Sequence, residues 1–95
     1  MLNEPSEKLK LEIKLLIMNT LGITDVDPGQ IDNEKPLFGG NNALTLDSVD
    51  ALEIIMALQR QYKVRIGDQN LSRNIVVSVN NMAEFIYAEQ AKTNQ

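Results

Sequence analysis

The chain has 95 residues and a formal net charge of −4, enough for one small domain and too little for two ordinary ones. It contains neither cysteine nor histidine. Disulfides, thiolate metal sites and a cysteine nucleophile are therefore excluded, and the commonest general base and metal ligand are both missing, which argues against a hydrolase triad or a zinc site. Apolar residues make up 43% of the sequence but aromatics only 4%, so aliphatic and methionine packing must supply the core.

The first ten residues, "MLNEPSEKLK", lack a basic segment followed by an apolar run, so no signal peptide is expected. Apolar stretches such as "LLIM" are far shorter than the roughly 20 residues that span a bilayer. A soluble cytoplasmic protein is the expectation. Over residues 6–21, Leu9, Ile13, Leu16, Ile17 and Leu21 recur at helical spacing with charges between them. Ser6 after Pro5 suits the start of this helix, and Gly22 suits its end. Residues 23–45 read differently, with two prolines, three glycines and many Asp and Asn residues. So long a segment without regular structure is unusual inside a small domain and is often functional. Ile23, Val26, Ile31, Leu37, Phe38 and Leu44 are expected to pin it to the core.

The stretch "DSVDALEIIMALQRQYKV" predicts a second helix over 47–64, built from good helix formers. "GDQNLSRN" predicts a short third helix with Asp68 near its start. "SVNNMAEFIYAEQA" predicts a last helix capped by Ser78, with Val79, Met82, Ala83 and Ile86 on one face. "NIVVSV" comes closest to a strand but has no partner. The expected architecture is all-α: a small bundle of three main helices and one short helix, with a long loop between the first and second. One domain over residues 1–95 is expected, frayed at about 1–5 and 92–95.

Charge is unevenly spread. Residues 1–24 are neutral, residues 25–53 hold seven acids and one base, and residues 54–95 hold three acids and five bases. An acidic middle argues against nucleic acid, whose binders carry a basic stripe, and favours a protein partner with a basic patch. A merely solvated acidic surface is the plainer alternative. Asp25 and Asp27 have the spacing of the first two ligands of a calcium loop, but Gly29 falls at position five and Pro36 at position twelve, which breaks that pattern. "FGGNN" lacks the Lys-Ser/Thr of a phosphate-binding loop. No metal ligands and no catalytic residues are assigned.

On a helical wheel for the second helix, Ala51, Leu52, Ile54, Ile55, Leu58 and Tyr62 fill one broad arc, expected to face the core. Asp50, Glu53, Arg60 and Gln61 fill the opposite arc, and Val49 and Met56 lie at the border. The outer side thus offers an apolar ridge flanked by acids, suited to docking, because apolar anchors give affinity and charges give orientation. The alternative is that Val49 and Met56 pack under the long loop. Ser48 stands at the helix mouth in "TLDSVDALEII". Helix caps favour serine and aspartate alike, so an N-cap role accounts for it locally. The same place also suits a phosphodiester on the hydroxyl, since unpaired N–H groups and the macrodipole stabilise an anion.

The segment "PLFGGNNALTLDSVDALEIIMALQRQYKVRI" resembles the central part of acyl carrier proteins. In that family a leucine-rich loop leads into Asp-Ser-Leu and a helix of the form Asp-x-x-Glu-Leu-x-x-x-Leu. Asp47-Ser48-Val49 matches the triplet, Asp50 and Glu53 match the helix acids, and Ile54, Met56 and Leu58 fall on its apolar positions. The resemblance extends over residues 6–91. It implies a carrier without catalysis of its own, with 4′-phosphopantetheine held covalently on Ser48 and Asp47 as part of the attachment motif. Val49, Asp50, Glu53 and Met56 would then meet partners. Those partners would be a phosphopantetheinyl transferase, which takes the arm from coenzyme A, and acyl ligases or synthases. The arm ends in a thiol, so a chain without cysteine would still carry acyl groups as thioesters, in fatty-acid, polyketide-like or specialised lipid biosynthesis. A monomer with no nucleic-acid or membrane partner is implied. The chain departs from the family in four places: Thr45 stands where glycine is usual, Val49 replaces leucine, "GGNN" lengthens the loop, and Gln59, Arg60, Gln61, Lys63 and Arg65 replace a typically acidic stretch. These departures point toward a dedicated pathway with its own ligase or synthase. The rival from another class is a helical interaction module in which Ser48 is only a cap.

Overall fold

A computed structural model describes the backbone of residues 5–39, 42–44, 46–67 and 69–93, and their side chains except those of 69–72 and 93. Helix α1 spans Glu7–Leu21. It starts where the Ser6 hydroxyl accepts a hydrogen bond from the Leu9 N–H at 3.1 Å, satisfying one of the donors a helix start leaves over. It stops at Gly22, whose φ of 69° only glycine adopts without strain, and the Ile23 N–H turns back to the Met18 carbonyl at 2.8 Å. Ile13 and Ile17 are fully buried, with Leu9, Leu16 and Leu21 half-buried around them.

The long segment after α1 has more order than its composition suggests. Pro28–Gln30 forms one turn of 3-10 helix. Asp27 caps it by accepting from the Gly29 N–H at 2.8 Å, while Gln30 reaches back to the Asp27 N–H at 3.3 Å. Farther on, the Asp32 carboxylate accepts from the N–H groups of Glu34 and Lys35, and these two bonds hold its pKa below the ordinary carboxylate value. Asn42 then closes the loop on itself. Its side-chain oxygen accepts from the Asp32 N–H at 2.7 Å, and its amide donates to the carbonyls of Asp32 and Lys35. Ile31, Leu37, Leu44 and Leu46 are buried, and Ile23, Val26 and Phe38 pack half-buried against them, so the loop is a layer of the core. Main-chain bonds tie it to the far side of the molecule: Leu37 N–H to Val77 O at 2.8 Å, and Asn80 N–H to Asn33 O at 2.9 Å.

Helix α2 spans Ser48–Tyr62, α3 spans Gln69–Val76 and α4 spans Val79–Thr93. Among the described residues the only extended pairing is an isolated bridge between Phe38 and Leu46. The all-α expectation holds. Asp68, expected near the start of α3, lies outside the described residues. The strand-like "NIVVSV" instead finishes α3 with Ile75 and Val76 buried. Ser78 is itself buried and accepts from the Asn81 N–H at 3.1 Å to start α4. Val79, Met82, Ala83 and Ile86 are all fully buried. Helix α4 continues past Ala91 through Lys92, which pairs with Glu89 at 3.3 Å, to Thr93. α1 packs on α2 and α4, and α3 bridges α4 and α2, so the helix that follows the loop is supported by α1 and α3.

The end of α2 departs from the expected 47–64. The helix stops at Tyr62 because Lys63 turns left-handed, with φ 57° and ψ 42°. A lysine has no steric licence for that conformation, which costs an L-residue with a Cβ roughly 1–2 kcal/mol. Lys63→Gly is expected to raise unfolding stability by about 0.5–1 kcal/mol, after the added freedom of glycine in the unfolded chain is subtracted. Urea denaturation of the two proteins checks the sign.

Candidate functional site

Two buried leucines, Leu44 and Leu46, lead the chain out of the loop and into α2. The Leu46 N–H donates to the Leu37 carbonyl at 3.1 Å, which anchors the approach one residue before Asp47. Asp47 is the N-cap, in extended backbone with φ −119° and ψ −176°. Its carboxylate accepts from the Asp50 N–H at 3.0 Å, and the Asp50 carboxylate accepts from the Asp47 N–H at 3.1 Å. This reciprocal box normally uses glutamate at the second position, and here the shorter aspartate closes it. The Asp47 carbonyl also accepts the first helical bond, from the Ala51 N–H at 3.0 Å.

The cap role open to Ser48 therefore belongs to Asp47. Ser48 occupies the first helical position and is exposed, and its hydroxyl makes no hydrogen bond to another described residue. Because Asp47 takes the Asp50 N–H and the first helical bond closes on Ala51, the N–H groups of Ser48 and Val49 have no partner within the helix. An anion joined to the Ser48 oxygen would meet these donors and the positive end of the helix. Ser48 is already exposed, so the residues present fit a phosphodiester on its hydroxyl.

Beyond the serine, Val49, Leu52 and Met56 are 61%, 62% and 57% exposed. Spaced at i, i+3 and i+7, they form one apolar ridge on the outer face, with exposed Glu53 and half-buried Asp50 beside it. Val49 and Met56 are not packed under the loop. Leu52, expected in the core, stands on the ridge instead. The buried positions are Ile54, Ala57 and Leu58, and Ala57, which the wheel did not single out, lies three residues after Ile54 on the same stripe. The i, i+3, i+4 spacing of those three is the signal that identifies them.

The second half of α2 serves two purposes. Gln59 turns inward and accepts from the Ile66 N–H at 2.8 Å, holding the chain as it leaves the helix. Tyr62 donates its O–H to Glu12 of α1 at 3.3 Å. Burial, with Glu12's negative charge, pushes the Tyr62 phenol up to about 12. Arg60, Lys63 and Arg65 are exposed. No cluster of three metal-ligating side chains occurs among the described residues, and no described helix is long and apolar enough to cross a membrane.

The family model described as "Phosphopantetheine attachment site" matches residues 12–86, from the middle of α1 into α4, with the whole of α2 inside the match. The chain belongs to that family. Its domain is the site of covalent 4′-phosphopantetheine attachment, and the protein is a phosphopantetheine-bearing carrier. Carrier domains of this kind interact with a phosphopantetheinyl transferase and with acyl-handling enzymes, and are generally not catalysts themselves. The resemblance to acyl carrier proteins carried by "LDSVDALEIIMAL" is consistent with the match.

For the carrier, the capping box makes a separable contribution to the site. Asp47→Ala removes the acceptor for the Asp50 N–H and is expected to cost about 1 kcal/mol of stability, whereas Asp47→Asn retains an acceptor and costs a few tenths. Thermal unfolding of the two variants distinguishes loss of the cap from loss of charge.

Proposed function

We propose that Ser48 bears the 4′-phosphopantetheine arm and that the carrier holds acyl intermediates as thioesters on it. The observation that carries this reading is an exposed serine at the first position of α2, its hydroxyl unengaged by the other described residues because Asp47 does the capping. In the transfer from coenzyme A, the Ser48 oxygen gains a bond to phosphorus as its proton leaves, and adenosine 3′,5′-bisphosphate departs. The N–H groups of Ser48 and Val49, which have no partner within the helix, would favour the negative charge of the new phosphodiester. Asp47 positions the serine and takes no part in the bond change. Residues 1–95 act as one monomeric, non-catalytic carrier domain in the cytoplasm, serving fatty-acid, polyketide-like or specialised lipid biosynthesis.

Val49, Asp50, Glu53 and Met56 form the partner-binding surface, to which Leu52 is added here. The exposed ridge supplies apolar anchors and the two carboxylates orient a basic partner. Arg60 in the last turn of α2, with Lys63 and Arg65 just beyond it, supports service to a dedicated ligase or synthase over enzymes that dock on a uniformly acidic helix.

Incubation with coenzyme A and a promiscuous phosphopantetheinyl transferase is expected to add the mass of one phosphopantetheine to the wild type and nothing to Ser48→Ala. A folded wild-type protein that gains no mass would leave Ser48 as an ordinary helical residue and favour an interaction module. Neutralising Asp50 as Asn, which preserves the box acceptor, together with Glu53→Lys is expected to slow modification several-fold at low ionic strength. The difference should close as salt nears 1 M, where screening acts within about 3 Å. An unchanged rate at low salt removes the two acids from docking.

A further inference from the structure

Between α1 and α2 runs an open groove of about 460 Å³, floored by Leu16, Met56 and Ala57. Glu53 and Arg60 stand on the α2 side of it. The two are seven residues apart, hence on one face of the helix and about 10 Å apart along its axis. At that separation they are too far apart to pair with each other. Neither has an ion-pair partner among the described residues, and α1 brings only the uncharged Leu16, Asn19 and Thr20 to the groove. The nearest acid on α1, Glu12, is engaged by the Tyr62 hydroxyl in the neighbouring part of the seam. Lys63 and Arg65 extend the positive charge beyond Arg60, and both are exposed.

A cation in the last turn of a helix also offsets the macrodipole, which accounts for Arg60 alone. It does not account for an acid and a base on one rim with an exposed methionine between them. An alkyl chain laid in this groove would strip water from Glu53 and Arg60 and return no hydrogen bond to either, so a lipid occupant is disfavoured. A protein side-chain pattern of opposite polarity satisfies both charges and covers Met56. Met56 is also the last member of the ridge that begins beside Ser48, so groove and ridge are one continuous surface.

We propose that this groove docks an amphipathic helix of a partner enzyme that carries a basic residue, an apolar residue and an acidic residue along one face at i, i+3 and i+7. The basic residue meets Glu53, the apolar one seats on Met56 and Ala57, and the acidic one meets Arg60. The proposal rests on the reading of α2 as the carrier's docking helix and adds a polarity requirement. A partner with cations along its whole docking face is attracted at Glu53 and repelled at Arg60, which gives selectivity through an unfavourable contact as well as a favourable one.

The test uses two synthetic helical peptides, one with Lys, Leu and Glu at i, i+3 and i+7, the other with Lys, Leu and Lys. Each is titrated into the isotope-labelled full chain at low ionic strength, with backbone amide shifts as readout. The wild type is expected to bind the lysine–glutamate peptide about threefold more tightly, in keeping with the small energies of exposed ion pairs. Shifts should be concentrated at Leu16, Met56 and Arg60, and Arg60→Glu should reverse the preference. Equal affinities, an order unchanged in Arg60→Glu, shifts centred outside the groove, or no shift with either peptide would each overturn the proposal. Groove shifts that appear on concentrating the chain without peptide would overturn it too, by assigning the groove to a second copy. Loading of the wild type from coenzyme A is read separately by mass. Failed loading with the peptide preference intact faults the attachment reading alone, and normal loading without a preference faults the groove alone.

Discussion

The start of α2 depends on two aspartates satisfying each other's backbone. Asp47 and Asp50 exchange hydrogen bonds of 3.0 and 3.1 Å, closing the helix mouth without help from the side chain of Ser48, which lies between them in the chain. A helix that starts on serine ordinarily spends the hydroxyl on its own N–H groups. Here that duty is moved back by one position, which leaves Ser48 exposed at the point where backbone donors and the macrodipole favour a negative substituent. The cap and the candidate attachment point are adjacent residues with different tasks.

That arrangement would be of little use on a mobile stem. The residues before it are held by burial of Leu44 and Leu46, by the Leu46–Leu37 main-chain bond, and by Asn42 closing the loop from residue 32 to residue 43. The loop in turn leans on the junction of α3 and α4 through Leu37 and Asn80. Position at one end of α2 is therefore maintained by contacts that reach across the whole bundle, and α2 itself is left with an entire face outward. Three large apolar side chains more than half exposed on one stripe are an unfavourable use of surface in a chain that buries so modest a core. Their retention next to Ser48 is consistent with a face that spends part of its time covered by another protein.

Much of the fold is legible in the periodicity of the sequence. Ile13 and Ile17, and the set Val79, Met82, Ala83 and Ile86, lie where a 3.6-residue period puts them, and Ser6, Gly22 and Ser78 mark helix ends by residue type. The departures have physical causes. A three-residue turn such as Pro28–Gln30 is shorter than any period and shows only in its Asp-Pro-x-Gln capping chemistry. Lys63 ends α2 in a conformation its own side chain does not favour, so no residue type announces the stop. Leu52 and Ala57 exchange places because a wheel ranks positions by angle, whereas burial depends on where α1 lies against α2. At the site itself, serine and aspartate share the same cap preference, and only the folded structure separates the residue that caps from the one left exposed. Attachment chemistry was never legible in spacing; it entered through the resemblance of the segment around Ser48 to a family, which the match over residues 12–86 supports.

Charge along α2 bears on which enzymes such a carrier can serve. Asp47, Asp50 and Glu53 make its first half negative, while Arg60 in its last turn, followed by Lys63 and Arg65, makes the far end positive. Both halves complement the macrodipole, acids at the positive end and bases at the negative end, so the helix itself is stabilised by the pattern whatever it meets. For association the consequence is different. A uniformly charged helix attracts any partner of opposite sign and leaves its direction along the groove loosely defined. A bipolar helix attracts less strongly at long range, because its two ends cancel beyond a Debye length of about 8 Å, but it distinguishes the two directions of docking and penalises partners of single polarity. A helix charged in this way exchanges encounter rate for discrimination between partners and between directions of docking.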